Sequence, residues 1–434
     1  MYELGWSRLG EAFESEFAKP KGLSIKACHI GADAHEELAV FARRACGKNC
    51  LVISDTNTRR AGGDEVVQAL SSAGKNVRES VFQSENLDAT VELADEVKGL
   101  ASSSDFLVAV GSGTLSDLAK YAGDALNRPV LLYATAASMN GYTSGVVALE
   151  VRGLKRTIPC APATGVFANP EHAATAPQPM VAAGVGDFLS KCSSTTDWRA
   201  SNILLDEPFE PKAREFTEGI QEQVIERASA IGRSEPEAVA LVLEALLLSG
   251  FSMVIAGSSA PASGGEHLIS HYIDMKSALY DLPHDLHGAQ VGVATVYCLG
   301  LWESILALEP AEIDIDALVA QRPSEVQVKE WIDEDWGPVA AEVQAQWDKK
   351  KMDPKGLQAH LETFVSSLPR MRDELPEDLL PAPVVKKALQ ASGGPVTPEE
   401  LNAPIAEYRN GQRRGRYIRS RFTVLDLAQD LGIS

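Results

Sequence analysis

The sequence predicts an N-terminal α/β domain with a mostly parallel, Rossmann-like sheet, followed by an all-helical C-terminal domain. The chain has 434 residues, which is above the length at which one hydrophobic core stops growing and chains divide into domains. Up to about residue 180, short β-rich runs alternate with helical patterns, which is typical of βαβ units. Beyond that point helical periodicity dominates. We therefore expect a nucleotide-binding domain over 1–180 and a helical domain over 181–434.

The predicted strands of the first domain are short apolar runs at Leu23–Ile30, Cys50–Ser54, Val77–Phe82, Phe106–Val110 and Val130–Tyr133. The helical patterns between them lie at Asp33–Arg44, Gly63–Ala73 and Ala89–Ala101. Two further extended segments, Ser144–Val151 and Lys155–Ala168, predict a hairpin appended to the sheet.

Composition excludes several classes of protein. The formal charge is −20, with 40 Lys and Arg against 60 Asp and Glu, which argues against nucleic-acid binding because phosphate backbones demand a basic surface. The six cysteines form no CxxC pair and predict free thiols in a reducing compartment. Glu3 and Glu11 interrupt any signal-peptide core, and Glu244 interrupts the apolar stretch Ala238–Ala256. We expect a buried helix there and a cytoplasmic protein with no membrane span.

A glycine-rich turn follows the fourth predicted strand. Phe106–Val110 runs directly into Gly111-Ser-Gly113-Thr-Leu-Ser-Asp117, and a helical pattern comes next. Glycine lets the backbone approach a ligand closely, while the free N–H groups and the dipole of the helix favour a phosphate. Ser116 stands where the usual dinucleotide fingerprint has its third glycine. Phosphate binding and simple packing at a strand–helix corner therefore both stay open.

A second polar loop follows the next predicted strand. Thr135–Ser144 reads TAASMNGYTS and is rich in small hydroxyl residues. Neighbouring strand ends bring such loops side by side, where open α/β sheets bind their ligands. Asp55 ends the second predicted strand, and a carboxylate there can accept hydrogen bonds from a ribose. A helix cap or turn is the alternative role for Asp55.

Four of the eight histidines lie in one short stretch of the second domain, at His267, His271, His284 and His287. His267 and His271 share one helix face because they are four residues apart. No HExxH motif is present. The cluster suggests a metal site with nitrogen ligands, and Asp187 is the best candidate for the completing carboxylate. The alternative is that each histidine caps or lines a helix and is satisfied by one hydrogen bond.

Five segments together resemble a known family. GSGTLSD, TAASMNGYTS, GVGDFLSK, SGGEHLISH and HGAQVGV occur in the order and approximate spacing seen in sn-glycerol-1-phosphate dehydrogenases. These are metal-dependent NAD(P)H enzymes of the iron-containing alcohol dehydrogenase and dehydroquinate synthase superfamily. The resemblance spans nearly the whole chain, and Ile418–Leu427 is similar to the bacterial branch. It implies a dehydroquinate synthase-like architecture.

The resemblance also implies roles for individual residues. Asp187, His267 and His287 match the ligands of one divalent metal ion, usually zinc or, in bacterial members, nickel, and His271 matches a catalytic histidine that contacts the substrate. The matches to contacts with NAD(H) or NADP(H) are Asp55, Gly111, Gly113, Thr114, Leu115, Ser116, Asp117, Thr135, Ala136, Ala137, Ser138 and Ser144. The implied reaction reduces dihydroxyacetone phosphate, or a related small ketone, to sn-glycerol 1-phosphate by hydride transfer at a metal-bound carbonyl. We expect a homo-oligomer, a dimer or larger.

One residue departs from the family pattern. The family generally has aspartate after the Met of the TAxSM loop, where it contacts the substrate, and this chain has Asn140. The amide keeps the size and one acceptor but removes a charge. Either a neutral contact holds the polyol, or the substrate differs from glycerol phosphate.

Two other functions stay open. The first is a carbocycle-forming synthase similar to dehydroquinate synthase. Asp187 argues against it, because that branch has glutamate as its first metal ligand. The second is a nucleotide-binding homologue that has lost catalysis, with Asn140 as the lesion.

Overall fold

The structure is a computed structural model that describes residues 25–83, 87–151 and 154–433. Two expectations concern positions outside these residues. They are the expectation that the N-terminal segment carries no signal peptide, and the first two positions of the predicted strand Leu23–Ile30.

The chain divides into two compact units. The first runs to Phe188 and includes Lys212–Ser258 and Ala391–Gly394, and the second comprises Leu189–Pro211, Ser259–Gln390 and Pro395–Ser434. The chain therefore passes between the units more than once, because the helices within Lys212–Ser258 belong to the first unit, which also contains the parallel sheet. The assignment of nucleotide binding to 1–180 and of metal and substrate binding to 181–434 stays a prediction.

The strands of the described residues are β1 Ala27–Ile30, β2 Asn49–Asp55, β3 Asn76–Phe82, β4 Phe106–Gly111, β5 Val130–Ala134, β6 Val146–Val151, β7 Leu154–Pro159 and β8 Gly165–Ala168. Six of them form one sheet in the order β1-β8-β5-β4-β2-β3, and every pairing in it is parallel. Every residue of β4 and β5 is buried, as expected for strands covered on both faces. The predicted fold class is confirmed.

The helices are α1 Ala34–Ala45, α2 Thr56–Thr58, α3 Asp64–Ser72, α4 Val91–Ala101, α5 Gly113–Leu126, α6 Pro170–Ala173, α7 Gln178–Leu189, α8 Lys191–Leu205, α9 Pro211–Glu215, α10 Ile220–Glu226, α11 Ala228–Gly232, α12 Pro236–Ala256, α13 Gly265–Tyr280, α14 His287–Leu306, α15 Ile315–Gln321, α16 Glu325–Trp336, α17 Ala340–Trp347, α18 Pro354–Glu374, α19 Ala382–Ala391, α20 Ile405–Arg414 and α21 Val424–Asp430. In the first unit, α1 and α3 bury their apolar faces against the sheet, with Leu38 and Leu70 beside Val108 and Tyr133.

The predicted hairpin is only partly right. β6 and β7 form an antiparallel sheet of their own, whereas the end of the second predicted segment, Gly165–Ala168, is β8 and lies between β1 and β5 in the parallel sheet. β7 ends at Pro159, and Pro162 lies between β7 and β8; proline ends strand pairing because it has no N–H to donate. All four residues of β8 are buried, which suits a strand inside a covered sheet.

Two described helices, α12 and α14, are long and apolar enough to cross a membrane by length and composition alone, with mean hydropathies of 2.3 and 1.3. The most apolar window of α12 is 94% buried inside the fold and that of α14 is 67% buried. The core helices of soluble proteins pass the same test, so these two are weak evidence for a membrane span. The prediction of a buried helix over Ala238–Ala256 is confirmed by α12.

The second unit packs around one apolar cluster. Helices α13, α14, α16 and α18 contribute Tyr272, Trp302, Trp336 and Phe364 to it, and none of these side chains is more than 1% exposed. This cluster forms the base on which the first turns of α13 and α14 lie.

We expect Phe364→Ala to lower the free energy of unfolding by about 3–5 kcal/mol, because it leaves a cavity in this cluster. Val326→Ala is the matched control: Val326 lies on α16 and is 67% exposed, so its truncation should cost less than about 0.5 kcal/mol. Urea unfolding followed by circular dichroism measures both. Equal losses would show that Phe364 does not belong to a tightly packed core.

His360 predicts a pH dependence of stability. Neither of its ring nitrogens has a hydrogen-bond partner among the described residues. Burial lowers the pKa of its imidazole, although Asp430 and Asp426 raise it in part, and Arg416 lowers it further. As the pH falls, the unfolded chain therefore binds a proton at this histidine at a higher pH than the folded chain does. Part of the free energy of unfolding that is present above a pH of about 6.5 is lost below that pH. We expect the stability of the His360→Leu variant to fall less between pH 6.5 and 5 than that of the wild type, by up to about 1.4 kcal/mol per pH unit. Parallel curves would contradict this reading.

Candidate functional site

The two polar loops predicted from the sequence lie side by side in the first unit. β4 and β5 are neighbours, and Gly111 pairs with Ala134 at their carboxyl ends. The Thr135 amide donates to the Gly111 carbonyl at 3.1 Å, and the Ser112 and Ser138 hydroxyl oxygens are 2.5 Å apart. The structure thus brings both loops to one edge of the sheet, as predicted.

The two glycines of the turn have different surroundings. A Cβ on Gly111 would lie 2.4 Å from Leu115 Cδ1, whereas a Cβ on Gly113 would meet only Met139, at 3.7 Å and beyond. Gly111 therefore permits close packing, and Gly113 begins α5 beside more open space. The first amides of a helix have no acceptor within the helix, so Gly113, Thr114 and Leu115 present N–H groups at this end of α5.

Several side chains in this region that were predicted to contact the nucleotide are buried or hydrogen-bonded within the protein. Leu115 and Ser116 are 2% and 1% exposed. Asp117 Oδ2 accepts a hydrogen bond from the Ala148 amide at 3.0 Å, which ties α5 to β6. The Ser116 amide donates to the Ser112 carbonyl at 3.0 Å, which leaves the backbone amide of Leu115 as the group of these residues that could contact a ligand.

Asp55 caps a helix, which was the alternative left open by the sequence. Its Oδ1 accepts from the Asn57 and Thr58 amides, each at 2.8 Å, and the Thr58 hydroxyl accepts from the Asp55 amide at 3.0 Å. These bonds form a capping box. Oδ2 takes part in none of them, and a ribose contact at that oxygen stays a prediction.

A buried lysine holds the second loop. The side chain of Lys120 is 0% exposed, and its Nζ donates to the carbonyls of Gly141 and Val146 at 2.8 and 2.7 Å. The Ser144 hydroxyl lies 3.3 Å from the same Nζ. Burial lowers the pKa of Lys120. The hydroxyl of Ser144, predicted to contact the nucleotide, is thus engaged inside the loop.

Two helix glycines let helices pack directly against this loop. A Cβ on Gly184 of α7 would lie 1.9 Å from the Ala137 carbonyl oxygen. A Cβ on Gly250 of α12 would lie 2.4 Å from the Asn140 carbonyl oxygen and 2.3 Å from Thr143 Oγ1. Any side chain at either glycine would displace the loop. The long apolar helix α12 is therefore part of the support for the candidate site.

Asn140 contacts Asp187 directly. Asp187 is 1% exposed, and its Oδ2 accepts from the Asn140 amide N–H at 3.0 Å. The side-chain nitrogen of Asn140 lies 3.4 Å from Asp187 Oδ1 and 3.3 Å from Ser249 Oγ. The amide therefore donates toward the carboxylate, where an aspartate would place a second negative charge.

Three of the four clustered histidines come together in the second unit. The ring centroids of His267 and His287 are 5.2 Å apart, those of His267 and His271 are 5.9 Å apart, and those of His271 and His287 are 5.6 Å apart. His284 is 51% exposed, and its Nδ1 lies 3.1 Å from the carbonyl of Asp285. The cluster therefore consists of His267 and His271 on α13 and His287 at the start of α14.

Hydrogen bonds orient two of these rings. His267 Nδ1 lies 2.9 Å from Glu266 Oε1, and His287 Nδ1 lies 3.0 Å from Ser270 Oγ. With Nδ1 engaged, Nε2 is the nitrogen of each ring that suits a metal ion. His271 Nδ1 is buried and has no hydrogen-bond partner among the described residues. Burial holds the pKa of His271 well below its usual value, and Arg419 lowers it further.

The donor set fits a divalent metal in its chemistry. Imidazole nitrogens oriented through Nδ1, together with a buried carboxylate, are ligands that zinc and nickel accept. Within the part of the chain that the structure describes, no group of three or more His, Cys, Asp or Glu side chains is arranged to hold a metal ion. Asp187 belongs to the first unit and both imidazoles to the second. That the three bind one ion is a proposal, taken up below.

Comparison with known proteins agrees with the motifs. The model of the iron-containing alcohol dehydrogenase family matches residues 29–177. A glycerol-1-phosphate dehydrogenase (NAD(P)+) from Bacillus licheniformis is 32% identical over 326 residues, which cover 73% of this chain and 81% of the relative. The chain belongs to the glycerol-1-phosphate dehydrogenase family. The family recognised from the five motifs is thereby confirmed.

A further member of the glycerol-1-phosphate dehydrogenase family, from Halalkalibacterium halodurans, is 36% identical over 281 residues, which cover 63% of this chain and 70% of the relative. The fold is shared with solved structures. A glycerol dehydrogenase from Schizosaccharomyces pombe superimposes with a TM-score of 0.56 at 18% identity and covers 81% of this chain and 91% of its own. That similarity shows the fold alone.

Three residues that support the site in this family member were not found from the sequence. Lys120, Gly250 and Ser249 lie in helical patterns whose only visible signal is amphipathicity or apolar composition. A lysine on the buried face of α5 was the one available clue. Ser249 and Gly250 interrupt an apolar run without indicating what they face.

We expect Lys120→Met to lower the free energy of unfolding by about 1–3 kcal/mol, because it removes the ammonium group that donates to two carbonyls. The Ser144 hydroxyl lies within reach of both carbonyls, but its one proton can serve only one of them at a time. Lys98→Met is the matched control: Lys98 on α4 is 38% exposed and pairs with Asp95, and loss of such an exposed ion pair should leave the stability nearly unchanged. Urea unfolding of both variants measures the difference. A Lys120→Met variant as stable as Lys98→Met would show that Lys120 does not hold the loop.

Proposed function

We propose that this chain is an NAD(P)-dependent dehydrogenase that reduces dihydroxyacetone phosphate to sn-glycerol 1-phosphate. The observation that carries the proposal is the cluster of His267, His271 and His287, in which the two presumed ligand rings have Nδ1 engaged. Membership of the glycerol-1-phosphate dehydrogenase family supports the reaction type and the phosphorylated substrate. Such a site needs nitrogen ligands that are already oriented before substrate arrives.

NAD(H) or NADP(H) would bind at the edge formed by the ends of β2, β4 and β5. The N–H groups at the start of α5 suit the pyrophosphate, and Thr135–Ser138 would contact the dinucleotide beside them. Asp55 Oδ2 would accept from the ribose. Asp117 and Ser144 would act by holding α5 and the loop in place, since their side chains are engaged there.

Asp187, His267 and His287 would hold one divalent ion, zinc or nickel. When bound, such an ion supplies a Lewis acid for the carbonyl group of the substrate. The buried position of Asp187 and its hydrogen bonds from Asn140 keep the carboxylate in one orientation. The contacts of Nδ1 with Glu266 and Ser270 would likewise keep the rings of His267 and His287 in one orientation.

His271 and Asn140 would contact the substrate. The ring of His271 lies against His287, and its Nδ1 has no partner among the described residues, so it suits a hydrogen bond to a substrate hydroxyl and the transfer of that hydroxyl's proton. Asn140 Nδ2 is directed at Asp187 and Ser249. A polyol hydroxyl would therefore donate to Asn140 Oδ1, which is a neutral contact.

We also propose that the protein is cytoplasmic, acts as a homo-oligomer and binds neither nucleic acid nor a membrane. A net charge of −20 supports the exclusion of nucleic acid.

The direct test is oxidation of NADH or NADPH in the presence of dihydroxyacetone phosphate and added Zn²⁺ or Ni²⁺. We expect turnover, and much slower turnover with dihydroxyacetone, which lacks the phosphate. No turnover with any small ketone, despite binding of metal and nucleotide, would favour a homologue that has lost catalysis. Ring closure of a phosphorylated sugar acid without net NADH consumption would favour the synthase.

The ligand assignment has its own test, elemental analysis of the purified variants. Asp187→Ala and His267→Ala should lose most of the bound metal, whereas His284→Ala should retain it because His284 is exposed and lies outside the cluster. Metal retained by Asp187→Ala, or lost from His284→Ala alone, would show that the assigned residues are not the ligands.

A further inference from the structure

A second acidic residue contacts the histidine cluster, and the sequence motifs gave it no role. Glu266 is 0% exposed. Its Oε1 accepts from the Gly264 amide at 2.7 Å and lies 2.9 Å from His267 Nδ1, while Oε2 accepts from the Ser193 hydroxyl at 2.9 Å. Burying a carboxylate costs several kcal/mol unless its oxygens are hydrogen-bonded. These three contacts supply that compensation, and one of them is with His267, a proposed metal ligand.

We propose that Glu266 is a positioning residue for His267. Its carboxylate accepts the Nδ1–H of the imidazole, which fixes the tautomer that has its lone pair on Nε2 and prevents the ring from turning. A carboxylate behind a ligand imidazole also increases the basicity of the coordinating nitrogen. This inference rests on the proposed function, because it assumes that His267 binds the metal.

A neighbouring carboxylate shows what a purely structural role looks like. Asp197 is 1% exposed, and it accepts from the Gly265 amide at 2.8 Å, from Trp302 Nε1 at 2.9 Å and from the Val424 amide at 3.1 Å. Both acids thus bind the backbone at the start of α13. Asp197 contacts no histidine in these bonds, whereas Glu266 does. Comparison of the two acids therefore distinguishes support of the helix, which both provide, from orientation of the His267 ring, which Glu266 alone of the two provides.

The substitution Glu266→Gln tests the difference with little change of volume. The oxygen of the glutamine amide can still accept from Gly264 and His267, and its nitrogen can donate to the Ser193 hydroxyl. The substitution therefore removes the negative charge behind His267 and leaves the hydrogen bonds in place. A neutral partner increases the basicity of the coordinating nitrogen less, and we expect the affinity of the protein for Zn²⁺ to fall about 10–100-fold, the range typical for mutation of such a partner. The affinity for NADH should stay within a factor of about 2.

The experiment is competition for Zn²⁺ between the protein and a chromogenic chelator, with NADH titration and melting temperature recorded for the same samples. Asp197→Asn is the matched control: its melting temperature should fall while its Zn²⁺ affinity changes less than about threefold. His267→Ala sets the level expected when a ligand is lost.

Three results would overturn the inference. Wild-type Zn²⁺ affinity in Glu266→Gln, with Zn²⁺ lost in His267→Ala, would show that the charge of Glu266 does not act on the metal site, and would leave the proposed function standing. Retention of Zn²⁺ by His267→Ala would refute both. Equal weakening in Glu266→Gln and Asp197→Asn would show that both acids act only through stability.

A measurement on the wild-type protein covers the case in which Glu266→Gln does not fold. With ¹⁵N-labelled histidine and no added metal, long-range proton–nitrogen spectra distinguish the two neutral tautomers, and His267→Ala assigns the signal of His267. We expect the proton of His267 on Nδ1. A proton on Nε2 would contradict the proposal.

Discussion

Buried charged groups in this protein must find fixed hydrogen-bond partners, and that constraint determines the backbone around the candidate site. Transfer of an ion into the interior is costly unless its hydrogen bonds are replaced. In the first unit, the ammonium group of Lys120 donates to the carbonyl of Gly141, in the loop after β5, and to the carbonyl of Val146, where β6 begins. In the second, Glu266 and Asp197 accept from consecutive amides at the start of α13. Each buried charge thus orders the segment that carries a presumed site residue.

The same constraint explains what the sequence could and could not predict. Continuous apolar runs identify β4 and β5, and the polar residues that follow them identify the loops, because both are local patterns. Local patterns do not say which strand pairs with which. The sequence pattern therefore predicts that Gly165–Ala168 belongs to a hairpin, although this segment is a strand of the parallel sheet. Nor do they reveal a residue whose role is contact at a distance. Ser249, Gly250 and Glu266 are ordinary in their segments and acquire a role only through what the fold places beside them.

Asn140 illustrates how a departure from a family pattern becomes clear in the structure. The sequence alone presented it as a lost charge. In the structure its backbone and side-chain nitrogens both face Asp187. An amide orients the carboxylate by donation, whereas a second carboxylate there would repel it. The substitution therefore preserves an ordered Asp187 and leaves one neutral acceptor for a hydroxyl group.

The account stands on one claim, that Asp187, His267 and His287 bind the same metal ion. Its most direct test is a crystal structure of the protein loaded with Zn²⁺, with diffraction recorded on both sides of the zinc absorption edge. The account predicts one strong anomalous peak within about 2.0–2.2 Å of an Asp187 carboxylate oxygen and of Nε2 of both histidines. A peak coordinated by other residues, or one that includes the two imidazoles while Asp187 points elsewhere, would contradict it.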